Sequence, residues 1–272
     1  MPTVRVPEGE LYYRRAGTGP PLVFVNEWPL SHRYWGPLTD RLERSCCVIG
    51  FDPRGIGRSQ PFSLAAAYDV EAHAEDLHEL ITALGLGEVH LVAHGLGAIP
   101  AALCLHRHPQ DVRTLTIFNP VVLPGRPQAL GKYLTSVQLL LLLKNLAAVP
   151  LLRNLLFRRY ALGRLPKTYQ KILADDLLHV NVRAAWALVH SATEEIVLRQ
   201  FLTAVVESAR PVLIVACARD AWASVETARG LFERISAGML VTMASPAHFP
   251  MLEVPEAVHQ VLMEFYRRSG TW

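Results

Sequence analysis

Short β-branched, apolar runs alternate with helix-period stretches along most of this chain, and that alternation constrains its fold more than any other feature. Leu22–Val25, Cys47–Phe51, Val89–Val92, Thr114–Phe118, Val212–Ala216 and Met239–Met243 carry too little polar character to leave one face in water. Such runs read as strands of a parallel sheet, buried on both faces. Parallel neighbours need crossover connections, and the helical stretches between several of these runs supply them. Thr3–Val6 and Leu11–Arg15 precede the series as an antiparallel lead-in. In Val70–Leu86 apolar residues recur at three-to-four spacing, with Glu71, Glu75, Asp76 and Glu79 on the other face. That pattern predicts a helix in which His73 and His78 face solvent.

The alternation stops between about residues 122 and 209. This stretch shows helical patterns and no strand signal, and prolines at 124, 127, 150 and 166 divide it. Ser136–Phe157 is rich in leucine, but Lys144, Asn145, Pro150, Arg153 and Asn154 interrupt it. A membrane span needs about twenty uninterrupted apolar residues, so a helix pair packed on the core is the expected structure. Its leucine surface also suits the lining of a lipophilic pocket, a membrane contact or a homodimer.

At 272 residues, with 51% apolar and 19% charged side chains, the chain is globular rather than disordered. A dispersed net charge of +3 gives no basic patch for nucleic acid. Cys46, Cys47, Cys104 and Cys217 have no paired spacing and read as buried free thiols. No basic segment followed by an apolar one opens the sequence, which makes a cytoplasmic protein the expectation. No histidine–carboxylate cluster has metal-ligand spacing along the chain. Gly55-Ile56-Gly57 lacks the rest of a dinucleotide fingerprint. Neither a metal nor a cofactor is therefore expected.

Residues 89–97 read Val-His-Leu-Val-Ala-His-Gly-Leu-Gly and lead into the helical stretch Ala98–His106. A strand, a tight glycine-bearing turn and a helix form the setting of a nucleophile elbow, G-x-S-x-G. The frame here is Ala93-His94-Gly95-Leu96-Gly97, with Gly95 at the serine position. No covalent intermediate can form on that residue.

Four more segments fall in register with this one. They are Leu22–Trp35 (LVFVNEWPLSHRYW), Val48–Ser59 (VIGFDPRGIGRS), Arg210–Asp220 (RPVLIVACARD) and Ala247–Glu256 (AHFPMLEVPE). With these strings in this order, the chain resembles the α/β-hydrolase superfamily over nearly its full length. The resemblance implies an α/β fold: a mostly parallel central sheet with helices on both faces and a helical cap inserted after strand six. Residues 1–121 and 210–272 would form the core and 122–209 the cap. It also implies Asp220 as the triad acid and His248 as the triad histidine, with Asn26-Glu27 where the family carries His-Gly in its oxyanion loop. The backbone N–H groups near Trp28 and Leu96 would be the oxyanion donors. His94 is scaffold.

A carboxylate bonded to one imidazole nitrogen fixes the tautomer, so the other nitrogen can take a proton. His248 and Asp220 therefore read as a general-base dyad that needs no serine. Glu27, if burial raised its pKa, would be a proton donor. Asn26 could supply a neutral donor beside it, and Asn26, Trp28, Gly95 and Leu96 are the expected substrate-binding residues. Glycine at the elbow would relax a strained turn and open space for substrate atoms or water. The resulting expectation is an enzyme of this fold that uses non-covalent acid–base chemistry of cyclase, lyase or isomerase type. Its substrate would be a hydrophobic small molecule bound under the cap, in a setting that suits secondary metabolism. A hydrolase in which the dyad activates water directly is one alternative. A non-catalytic small-molecule binding protein is another.

Overall fold

The computed structural model describes residues 2–59, 62–63, 65–121, 127–153, 165–244 and 247–272. Eight strands form one sheet in the order β1-β2-β4-β3-β5-β6-β7-β8. They are β1 (Thr3–Val6), β2 (Gly9–Ala16), β3 (Pro21–Val25), β4 (Cys47–Phe51), β5 (Val89–His94), β6 (Val112–Phe118), β7 (Val212–Cys217) and β8 (Gly238–Met243). β1 and β2 pair antiparallel, β2 pairs antiparallel with β4, and all remaining pairs are parallel.

Period-two alternation divides each central strand between two cores. Leu22, Phe24, Val48, Val92, Phe118, Leu213 and Val215 face one side. There they pack on Leu38 and Leu42 of α1 (Gly36–Leu42) and on Val258, Leu262 and Phe265 of α10 (Pro255–Arg268). Val23, Val25, Ile49, Leu91, Ala93, Ile117 and Ile214 face the other side. That core holds α2 (Val70–Ala83), α3 (Ala98–Arg107) and α8 (Val225–Phe232). β8 departs from the expectation of a buried strand. As the sheet edge it is only half covered, because no strand pairs beyond it. The four cysteines are buried and free.

Between β6 and β7 the described residues are helical: α4 (Pro127–Leu142), a 3-10 turn over Lys144–Ala148, α5 (Lys167–His179), α6 (Val182–Ala192) and α7 (Glu195–Val206). Part of the leucine-rich stretch, residues 154–157, lies outside the described residues. Phe201 and Val205 of α7 join the same core as α3, so the last helix of this insertion rests directly on the sheet's helical layer. Among the described residues no helix is long and apolar enough to cross a membrane.

His73 corrects the expectation of a solvent-facing histidine. Its side chain turns inward, where burial lowers its pKa to about 4 and Nδ1 bonds to the Asp69 carbonyl at 2.8 Å. His78, on the same helix, is part-buried against Asp111.

Candidate active site

Residues at the carboxyl ends of four parallel strands converge on one point, as open α/β sheets generally arrange their sites. Glu27 follows β3, Gly95 follows β5, Asp220 follows β7 and His248 lies in the loop after β8. The elbow turns at Gly95 with φ +54°, a left-handed conformation that glycine adopts without steric cost. Gly97 beside it lies against the Asn26 carbonyl, and a Cβ there would come within 2.3 Å of that oxygen.

The space at Gly95 is not open. A Cβ on that residue would lie 1.4 Å from Glu27 Oε2 and 2.4 Å from Glu27 Cδ. The Glu27 carboxylate thus fills the volume expected to hold substrate or water. It is buried and turned inward, with Oε1 accepting the Trp28 N–H at 2.8 Å and both oxygens 3.3 Å from the Leu96 N–H. These are the two amides assigned to oxyanion binding, and the carboxylate occupies them. Every one of these contacts makes Glu27 an acceptor, the reverse of the proton-donor role expected for it.

His248 completes the cluster. Nδ1 donates to Asp220 Oδ2 at 2.7 Å, and Nε2 stands 3.4 Å from Glu27 Oε2. Asp220 is fixed in turn by the Trp222 and Ala223 N–H groups, at 2.7 and 3.2 Å from Oδ1. Burial works against a charge on His248, but Asp220 and then Glu27 outweigh it and raise the imidazole to about 10. The two acidic side chains on either side of the ring thus favour its protonated form. When protonated, the ring donates from both nitrogens, to Asp220 and towards Glu27.

The surroundings hold this arrangement rigidly. His94 donates from Nε2 to the His248 carbonyl at 2.8 Å, and Asn119 Nδ2 donates to the same oxygen at 3.0 Å. Burial and then the His248 charge keep His94 well below the usual histidine range. The Glu27 N–H donates to Tyr34 Oη at 2.8 Å. Asn26 is a correction: its amide donates to the Leu30 and Phe51 carbonyls and accepts from Trp35 Nε1, so it braces the loop and has no N–H left to donate to a ligand. Glu27, His94 and His248 offer ligand atoms within 4.8 Å of one another. Two of the histidine nitrogens are already committed, His94 Nε2 to a carbonyl and His248 Nδ1 to Asp220, which leaves too few donors for a metal centre.

A mostly apolar cavity opens above Glu27 and His248. Trp28 lines it, with Val137 and Leu140 of α4, Leu173 and Leu177 of α5, and Trp222. Gly95 and Leu96 do not line this cavity; Glu27 stands between them and it. Tyr133 of α4 lines it and meets Trp222 edge-on at 5.8 Å. Sequence reasoning passed over Tyr133, because one tyrosine in a leucine-rich helix carries no positional signal.

The α/β hydrolase fold family model matches residues 20–255. The non-heme chloroperoxidase CPO-A1 of Kitasatospora aureofaciens is 36% identical over 110 residues, 40% of this chain and 39% of that protein. The soluble epoxide hydrolase of Corynebacterium sp. (strain C12) is 29% identical over 131 residues, 48% of this chain and 44% of that protein. The chain thus spans less than half the length of either relative. The esterase EaEST of Exiguobacterium antarcticum superposes with a TM-score of 0.82 at 20% identity, covering 97% of this chain and 98% of that one. With its sheet order, its elbow and this match along most of its length, the chain belongs to the α/β hydrolase fold family.

Proposed function

We propose that this chain is a serine-independent hydrolase in which Glu27 is the nucleophile, His248 the proton donor and Asp220 the group that orients His248. One observation carries the reading. Glu27 Oε2 lies 1.4 Å from where an elbow Cβ would be, about one carbon–oxygen bond, and 3.4 Å from His248 Nε2. A serine hydroxyl oxygen at the elbow would satisfy the same two relations. The reacting oxygen is supplied from a different loop.

The substrate class is an apolar small molecule with an electrophilic carbon whose leaving group needs a proton. Oε2 attacks that carbon, the bond to the leaving group breaks, and His248 Nε2–H protonates the departing atom. A glutamyl ester remains, its carbonyl oxygen held by the Trp28 and Leu96 N–H groups. Neutral His248 then takes a proton from water, and the hydroxide adds to Cδ of Glu27. The tetrahedral oxyanion stays on the same two amides. Collapse expels the product alkoxide, which takes the proton of the new carboxyl group, and the starting carboxylate and imidazolium return. Relatives named as hydrolases support a hydrolytic outcome.

A second reading gives the Glu27 electron pair to a substrate proton instead of a carbon. The adjoining imidazolium favours it, since the two form a matched acceptor and donor. Cyclase, lyase or isomerase chemistry would follow. Single turnover with excess enzyme in oxygen-18 water, probed with a small aryl epoxide and a short chromogenic ester, separates the two. The nucleophile reading expects one oxygen-18 in the peptide that carries Glu27. Label in the product with none in Glu27 would overturn it and leave water activation. Binding without any change in the ligand would point to a receptor. Glu27→Gln keeps the shape and is expected to lower kcat by on the order of 10⁴.

A further inference from the structure

The carboxyl end of α3 is a second place where chemistry-bearing side chains meet. α2 presents Glu75 and His78, three residues apart on one helix face. His108 caps the end of α3, and Asp111 closes the 3-10 turn Pro109–Asp111 that follows it. Two pairs with the same spacing, Glu-x-x-His and His-x-x-Asp, thus face each other from segments about thirty positions apart in the chain.

Their contacts are close. His78 Nδ1 lies 2.6 Å from Asp111 Oδ2, and His108 Nε2 lies 3.4 Å from Glu75 Oε2. The two imidazoles stack with centroids 3.8 Å apart and planes 8° from parallel. One ligand atom from each of His78, His108 and Asp111 falls within 4.8 Å of the other two. His108 Nε2 is buried and makes no hydrogen bond, even with Glu75 beside it. A buried ring nitrogen without a hydrogen bond is costly, and satisfying it calls for an acceptor when it carries the proton and for a donor or a cation when it does not.

We propose that Glu75, His78, His108 and Asp111 form a site for a divalent transition-metal ion of the Zn²⁺, Ni²⁺ or Cu²⁺ kind. Two imidazoles and two carboxylates are the donor set such ions take, whereas Ca²⁺ and Mg²⁺ prefer oxygen alone. A tetrahedral ion with bonds of about 2.0–2.1 Å separates its ligand atoms by roughly 3.3 Å. Loading the site therefore replaces the proton between His78 and Asp111 with the metal and moves these atoms apart. The stacked rings rotate out of parallel, so that each nitrogen lone pair points at the ion. Both rings are partly exposed and have room to turn, with side chains 27% and 20% accessible. Arg107 now pairs with Glu75 at 3.3 Å and also with Glu71; binding releases Glu75 and leaves Arg107 to Glu71.

The position gives the ion a structural task. α3 starts beside the elbow and ends at this cluster, and a ten-residue helix is about 15 Å long. The ion would sit at the far end of α3 from Glu27 and His248, clipping α2 to the turn that enters β6. It would stabilise the fold and take no part in catalysis.

Zn²⁺ alone is the probe, added to the full chain after dialysis against a chelator. Equilibrium dialysis is expected to show one ion per chain, and the thermal midpoint is expected to rise as Zn²⁺ saturates. His108→Gln and Asp111→Asn should each weaken the affinity at least tenfold and remove the thermal shift. His248→Gln should leave both unchanged. Circular dichroism of the metal-free variants checks that each is folded, and Glu75→Gln offers a milder change where one is not. Absence of one-to-one binding overturns the proposal. Binding that survives His108→Gln and Asp111→Asn does so as well, and loss through His248→Gln would move the ion to the active site.

Discussion

Gly95 and Glu27 exclude any third arrangement at the elbow. A serine hydroxyl there would need the volume that the carboxylate holds, in a backbone with φ +54° that side chains rarely adopt. Gly95→Ser alone is expected to lose about 1–3 kcal/mol through overpacking, read as a lower urea midpoint, and to stay unlabelled by a fluorophosphonate probe. Glu27→Gly/Gly95→Ser clears the clash and frees the Trp28 and Leu96 amides. The double variant is therefore expected to label, and an inert but folded protein would show that this frame cannot support a serine. The sequence marked Glu27 as anomalous but did not reveal its direction. A loop carboxylate can turn to solvent or inward, and only the converging amides and His248 decide between them.

Among the elements, α5 has a task that its sequence does not advertise. Asp176 accepts from the Ser31 N–H at 2.9 Å and its hydroxyl at 2.8 Å, and pairs with Arg33 at 2.5 Å. This helix thereby anchors the segment that begins with Glu27. Asp176→Ala removes hydrogen bonds to a charged group and leaves the Ser31 donors buried. The expected loss is about 2 kcal/mol in chemical denaturation, with a fall in turnover as the loop loosens. The strands were easier to read. Cys47–Phe51 matches β4 residue for residue, and the other runs fall within their strands, because burial on both faces leaves an unbroken apolar signature. Asp220 and His248 came into view through the resemblance, and the structure places them in contact. Asp176 and Tyr133 left no trace, since side chains on the helices between β6 and β7 reach the site through the angle at which those helices pack.

For the molecule as a whole, buried histidines give stability opposite pH slopes on the two sides of neutrality. His73 and His90 are lowered to about 4, mainly by burial, and His94 lies well below its ordinary value. Below the ordinary value of 6.5 the unfolded chain binds protons that the folded one refuses, so stability is lost as pH falls from there towards 4. Asp76, which burial raises to about 6 despite Arg54, opposes this between 3.8 and 6, and Asp176, also raised by burial, acts in the same sense, so two carboxyls stand against three histidines. His248 acts at the other end. Its folded value of about 10 exceeds the unfolded one, so its contribution is complete below 6.5 and disappears as pH rises through 10. Urea midpoints across pH should fall on both flanks, and His248→Gln should lessen the alkaline fall without abolishing it, since the buried Cys104, Cys217, Tyr34, Tyr133 and Tyr266, all raised by burial, also lose stability there. A histidine suits either face of a helix, so its residue type hid the inward turn of His73, although its place three after Val70 and four before Leu77 lies on the buried stripe.

A reacting group supplied from another loop also limits how such a chain can have changed over time. Converting a serine site to this one, or back, takes two substitutions that tolerate neither order well. Serine gained first collides with the carboxylate, and the carboxylate lost first leaves a step with no reactive oxygen at all. On the proposed mechanism, a search for the missing serine would pass over this site, because the oxygen at the elbow comes from Glu27.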